Sequence, residues 1–121
     1  MRPIAILAAG VLLAAPAFAA PDDGFGAFWK IFAAAAARDD GATLAKLTVM
    51  GPALDGEDKT FAAFHANVLN RKARACLATT KPKGNPDDSG QVEYAAFCGH
   101  LIFGFSKTAG GWTLTDISPD D

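Results

Sequence analysis

The chain has 121 residues, half of them hydrophobic and a tenth aromatic, with a formal net charge of −2. That length holds one domain and not two, and its Phe and Trp content marks a packed chain, since these side chains carry large areas to bury. The mildly acidic balance excludes a sequence-wide basic surface for nucleic acid and a polybasic membrane signal.

The first element is a leader. Met1, Arg2 and Pro3 give a short basic start, Ile4 to Ala15 is an apolar run, and Pro16 leads into Ala17-Phe18-Ala19, a small-x-small cleavage pattern. This is the layout of a secretory signal peptide. The run is shorter than the roughly 18–20 residues of a membrane-spanning helix, so no membrane span is expected. No cysteine stands at the cleavage point, which argues against a lipid anchor. Cleavage after Ala19 would leave a single mature domain, residues 20–121, carrying ten basic and thirteen acidic residues and located in the periplasm or secreted.

Phe25, Phe28, Trp29, Phe32 and Ala36 follow the i, i+3, i+4, i+7 stripe of an amphipathic helix. Asp22 or Asp23 can cap its start, Arg38 suits its negative end, and Asp39-Asp40-Gly41 breaks it. Ala33 to Ala37 add helix propensity and nothing more. A second helix is expected over about 42–48, capped by Asp40, burying Leu44 and Leu47, and ended by Val49-Met50-Gly51-Pro52. Asp55-Gly56-Glu57-Asp58 reads as a turn and lacks the twelve-residue pattern of a calcium loop. A third helix carries Phe61, Phe64, Val68 and Leu69 on one face, with Asp58 as its cap and Asn70 near its end.

From Arg74 onward the period changes to two. Strands are expected over about 73–80, about 92–105 with a kink at Gly99, and about 112–118, with turns at Gly84–Gly90 and Thr108–Gly111. Leu101, Phe103 and Phe105 point one way and meet Trp112 and Leu114, while Ile102, Thr115 and Ile117 take the opposite face. Helices followed by an antiparallel meander define an α+β fold, with N-terminal helices packed on one side of a curved sheet.

Cys76 and Cys98 are the only cysteines, and an even count in an oxidising compartment favours a disulfide. A hairpin centred on Asp87 would set the two opposite each other. Closing the loop between them is worth about 3 kcal/mol on chain-entropy grounds. A redox or metal-binding thiol pair would call for a C-x-x-C spacing, which is absent.

Phe28-Trp29-x-x-Phe32, Asp39-Asp40, Leu44-x-x-Leu47 and Gly51-Pro52, with the ending Ile102-Phe103-Gly104-Phe105 and Gly110-Gly111-Trp112-x-Leu114-x-x-Ile117, resemble a small exported member of the nuclear transport factor 2-like superfamily. The resemblance runs over most of residues 25–118 and rests on aromatic spacing and a turn. It implies a cone of curved antiparallel sheet wrapped on a long helix, with a pocket at the open end lined in part by Phe25, Phe28, Phe32, Phe103, Phe105 and Trp112. Activities within that superfamily range from isomerases and dehydratases to carriers and inert binding modules, so fold alone does not carry function.

Two histidines are candidate general bases. His100 ranks ahead of His65: it follows Cys98 and Gly99 on the strand side, whereas His65 borders the apolar stripe of the third helix and better suits a core edge with one nitrogen bonded to backbone. A glycine in a strand often marks a bulge, which would re-aim His100. With both sulfurs in a disulfide, two histidines on separate elements make a poor zinc site, so no metal and no cofactor are expected. Tyr94 either donates a hydrogen bond into a pocket or takes an exposed strand position near the 84–90 turn, and the second is favoured. Arg71, Lys72, Arg74, Lys81 and Lys83 either share a rim that meets an acidic partner or form a solvated helix end. Asp116, Asp120 and Asp121 form an acidic tail without an evident role. No G-x-S-x-G elbow or glycine-rich phosphate loop occurs. The favoured expectation is an exported, non-catalytic module of the bacterial envelope that binds a small apolar ligand or a protein partner. The alternatives are a small enzyme with a histidine base and a homodimeric interaction protein.

Overall fold

A computed structural model describes residues 23–51 and 60–120. The leader, Asp22, the turn at Asp55–Asp58 and Asp121 lie outside the described residues. Four helices, α1 (Phe25–Arg38), α2 (Gly41–Lys46), α3 (Phe61–Asn67) and α4 (Arg71–Leu77), precede four strands, β1 (Lys83–Pro86), β2 (Val92–Cys98), β3 (Leu101–Thr108) and β4 (Gly111–Pro119). The strands form one antiparallel sheet in sequence order, β1-β2-β3-β4. The helices pack on this sheet in an α+β arrangement.

Helix α1 starts where Gly24 takes a positive φ of 83° and the Asp23 carboxylate accepts the Phe25 N–H at 3.0 Å. Its stripe of Phe25, Phe28, Phe32, Ala35 and Ala36 is buried. The helix ends at Asp39, whose left-handed φ of 54° lets its N–H return to the helix carbonyls. Asp40 then caps α2, its carboxylate accepting both the N–H and the hydroxyl of Thr43. Beyond α2, the Leu47 carbonyl accepts the Leu114 N–H and the Val49 N–H donates to the Leu114 carbonyl, so this segment runs beside β4.

Several expectations need correction. Residues 73–80 do not form a strand: Asn70 is not the end of α3 but the cap of a further helix, accepting the Ala73 N–H at 2.9 Å. Arg71-Lys72-Ala73-Arg74-Ala75-Cys76-Leu77 consists mostly of good helix formers. Leu77 is buried, while Ala73 and Cys76 are half-buried, which is helical spacing. The sheet instead begins inside the stretch read as a turn, with Gly84, Asn85 and Pro86 opposite Tyr94, Glu93 and Val92. The hairpin loop itself is tightened by Asp87, whose carboxylate accepts the N–H groups of Ser89 and Gln91.

The long strand at 92–105 is in fact two. Gly99, with a φ of 67°, and His100 form a two-residue loop between the paired residues Cys98 and Leu101. Only glycine takes such a φ without a steric cost. Farther along, Gly104 pairs with Asp116 and Phe105 with Leu114, leaving Thr115 as the extra residue of a bulge. The bulge returns Ile117 to the core side opposite Phe103, so Ile117 does not share a face with Ile102.

The Cys76–Cys98 disulfide is present, with Cα atoms 5.8 Å apart, but it joins the last turn of α4 to the end of β2 rather than two facing strands. Phe32, Phe64, Phe103, Phe105, Leu44, Leu69, Leu77 and Leu114 are fully buried between the layers. A polar latch holds the start of α1 to the sheet. The Tyr94 hydroxyl donates to the Asp23 carboxylate at 2.8 Å, and the Trp112 indole N–H donates to the Asp23 carbonyl at 2.7 Å. The Phe25 ring stacks on Tyr94, centroids 3.7 Å apart. Tyr94 is therefore half-buried and engaged, not an exposed strand position.

The Phe25 N–H, and more weakly the Tyr94 hydroxyl, hold the Asp23 carboxyl below the usual carboxylate range against the opposing effect of burial. A carboxyl depressed in the folded state stabilises the fold above its unfolded value of about 4 and loses that contribution as pH falls through the folded value. The urea midpoint should therefore drop below about pH 4, and drop less in Asp23→Asn; an identical acid profile in that variant would contradict the latch. Cys76→Ala/Cys98→Ala should lower stability in urea by about 3 kcal/mol, whereas an unchanged midpoint would show that packing alone holds α4.

Candidate functional site

The disulfide borders a largely apolar concavity. With α4 tethered at Cys76 and the β2–β3 loop turning sharply at Gly99, the two leave a groove of about 200 Å³. It is lined by Asn70, Lys72, Ala73, Cys76, Cys98, Gly99, His100 and Leu101. Asn70 is committed to its own helix, accepting the Ala73 N–H and donating to the Asn67 carbonyl. Lys72 and His100 are exposed, and among the described residues neither side chain has an ion pair or hydrogen bond. His100 contributes its carbonyl to the Asp120 N–H at 2.8 Å. The groove is thus an apolar trough with two unpaired nitrogen-bearing side chains along it.

His65 lies elsewhere. Its Nε2 is 2.7 Å from Asp39 Oδ1, and Arg74 Nε approaches the same oxygen at 3.3 Å. The left-handed backbone at Asp39 turns its carboxylate toward both α3 and α4, so one anion ties three helices together. Arg74 also donates to the Leu69 carbonyl at 2.7 Å. This imidazole–carboxylate pair has the composition of a catalytic dyad, but the neighbouring guanidinium competes for the same oxygen, and the cluster acts as a staple.

The aromatic residues expected to line a pocket are brought together as core. Phe28, Phe32, Phe103, Phe105 and Trp112 are all at least nine-tenths buried. Phe32 meets Phe28 and Phe105 with ring centroids 5.6 and 5.2 Å away, and Phe25 meets Trp112 at 5.2 Å. Phe105 also borders a broader, more polar depression of about 440 Å³ that includes Glu93, Ile102 and Asp116. The cationic residues do not act as one rim. Arg74 pairs with Asp39, Lys83 lies 5.9 Å over the Phe97 ring, Arg71 borders a separate hollow with Ala36 and Ala75, and Lys72 faces the groove.

Sequence reasoning read Asp23 as a cap, which the Phe25 N–H bond bears out, and Asp39 as part of a helix breaker, but it missed their bonds to Tyr94, Trp112, His65 and Arg74, because those partners are far away in the chain. The acidic turn after α1 was visible as a helix breaker and, at Asp40, as a cap. Among the described residues, no group of three or more His, Cys, Asp or Glu side chains is placed to hold a metal ion. No described helix is long and apolar enough to cross a membrane. Family models, curated proteins and solved structures yield no match to this chain.

Because the Asp39 pairs are partly exposed, each should contribute modestly. Asp39→Asn keeps a residue that tolerates the left-handed backbone and removes the charge. It should cost less than about 1 kcal/mol in urea while leaving the groove residues' amide resonances in place. A much larger loss, or displaced groove resonances, would show that this staple also shapes the groove.

Proposed function

We propose that the protein is an exported, non-catalytic binding module of the bacterial envelope that takes a small apolar ligand in the groove between α4 and the β2–β3 loop. One observation carries the reading: the covalent tether at Cys76–Cys98 borders an apolar trough in which Lys72 and His100 have no side-chain partner among the described residues. Ligand sites have this composition, largely apolar with few polar groups that set orientation. The exported location rests on the leader sequence and accords with the disulfide. A nuclear transport factor 2-like ancestry rests on the same aromatic and Gly-Gly-Trp spacings, and helices preceding an antiparallel sheet are compatible with it.

An enzymatic reading would need a base oriented by a second group. His100 has no such side-chain partner among the described residues, and the partner of His65 is shared with Arg74. Binding therefore accounts for the groove more simply than catalysis does. A homodimeric reading has one observation of its own: Phe97 is 43% exposed on the sheet, paired with Ile102.

Native mass spectrometry of the full chain recovered from the exported fraction tests these readings together. The expected result is a monomer that lacks residues 1–19, is two hydrogens lighter than the dithiol, and retains a small mass that is lost in Leu101→Arg. A ligand-free dimer, dissociated by Phe97→Glu, would overturn the binding reading in favour of an interaction surface.

A further inference from the structure

Building on the binding reading, we propose that the groove selects a small carboxylate with an apolar body, the carboxylate meeting Lys72 and His100 and the apolar part lying along Ala73, Leu101 and the disulfide. Charge carries the inference. Helix α4 bears Arg71, Lys72 and Arg74 and no acidic residue. Arg74 is neutralised by Asp39, and Arg71 borders a different hollow, so Lys72 is the ammonium left facing the groove. His100 adds a ring that can donate a hydrogen bond. Among the described residues, no carboxylate lines the groove. Asp120, on the chain that passes the loop, bonds there through its backbone N–H.

Size narrows the class. A cavity of about 200 Å³ is smaller than the roughly 300–1,000 Å³ of drug-sized sites, so it suits one aromatic ring or a short alkyl chain with its carboxylate. The chain as a whole is net negative, so its overall field repels anions. A preference for the anion must then come from the local pair of nitrogen groups.

The test is a titration of the disulfide-bonded protein, followed by amide NMR shifts, with benzoate and with benzyl alcohol, which share a ring and differ in charge. Shifts are expected at residues 70–77 and 98–101, with benzoate binding about fivefold more tightly at low salt. That margin should shrink as salt is added and close in Lys72→Gln, an exposed substitution that should not disturb folding. Equal affinities, or a margin that survives Lys72→Gln, would overturn the anion preference and leave the binding groove standing. Absence of shifts with both probes, or benzoate shifts confined to other surfaces, would overturn both.

Discussion

The Cys76–Cys98 bond is the covalent constraint that joins the two elements lining the groove. Helix α4 is only seven residues long, far below the length at which a helix is stable by itself in water. Buried Leu77, half-buried Ala73 and Cys76, the Arg74 contacts to Asp39 and the Leu69 carbonyl, and the disulfide hold it in place. On its partner side the bond lands at the end of β2, immediately before the two-residue loop that carries His100. The tether therefore sets the distance between Lys72 and His100 as well as the position of the helix. Removing it would cost stability and also the definition of the site.

The remainder of the fold is arranged so that α1 does not depend on that tether. Its aromatic stripe is packed against Phe105 and Trp112, and the Asp23 latch adds directional bonds where the helix starts. At its other end, the Asp39 carboxylate reaches His65 and Arg74 and joins α1 to α3 and α4. Two aspartates, one at each end of a single helix, thus orient the helical layer. This division explains the different situations of the two histidines. His65 is engaged by a structural anion, whereas His100 remains available beside the groove.

Much of this was legible in the residues. The α1 stripe, the Asp40 cap and the pairing of Phe105 with Leu114 all follow from local periodicity and capping chemistry. The disulfide was legible from the even cysteine count and the export expected from the leader, but the geometry expected for it was different. Cys76 lies on a helix, because alternation in Ala73-Arg74-Ala75-Cys76 mimics a strand while the same residues favour a helix. Strand β1 was hidden in Gly84-Asn85-Pro86, which are turn formers held in a ladder by their partners on β2. The face of Ile117 depended on a bulge at Thr115 that no local pattern announces. The site was the least legible part. Lys72 and His100 belong to separate elements, and the tertiary fold, with its cross-link, brings them to one trough.

Hydrogen exchange, compared residue by residue between the oxidised and the reduced protein, tests the central role of the tether most directly. Reduction should raise exchange selectively in α4 and at Gly99–Leu101, with α1 and the β3–β4 ladder keeping their protection. Unchanged exchange in α4 would show that packing alone positions the helix, and a uniform rise across the domain would show that the bond stabilises the whole fold without defining the groove.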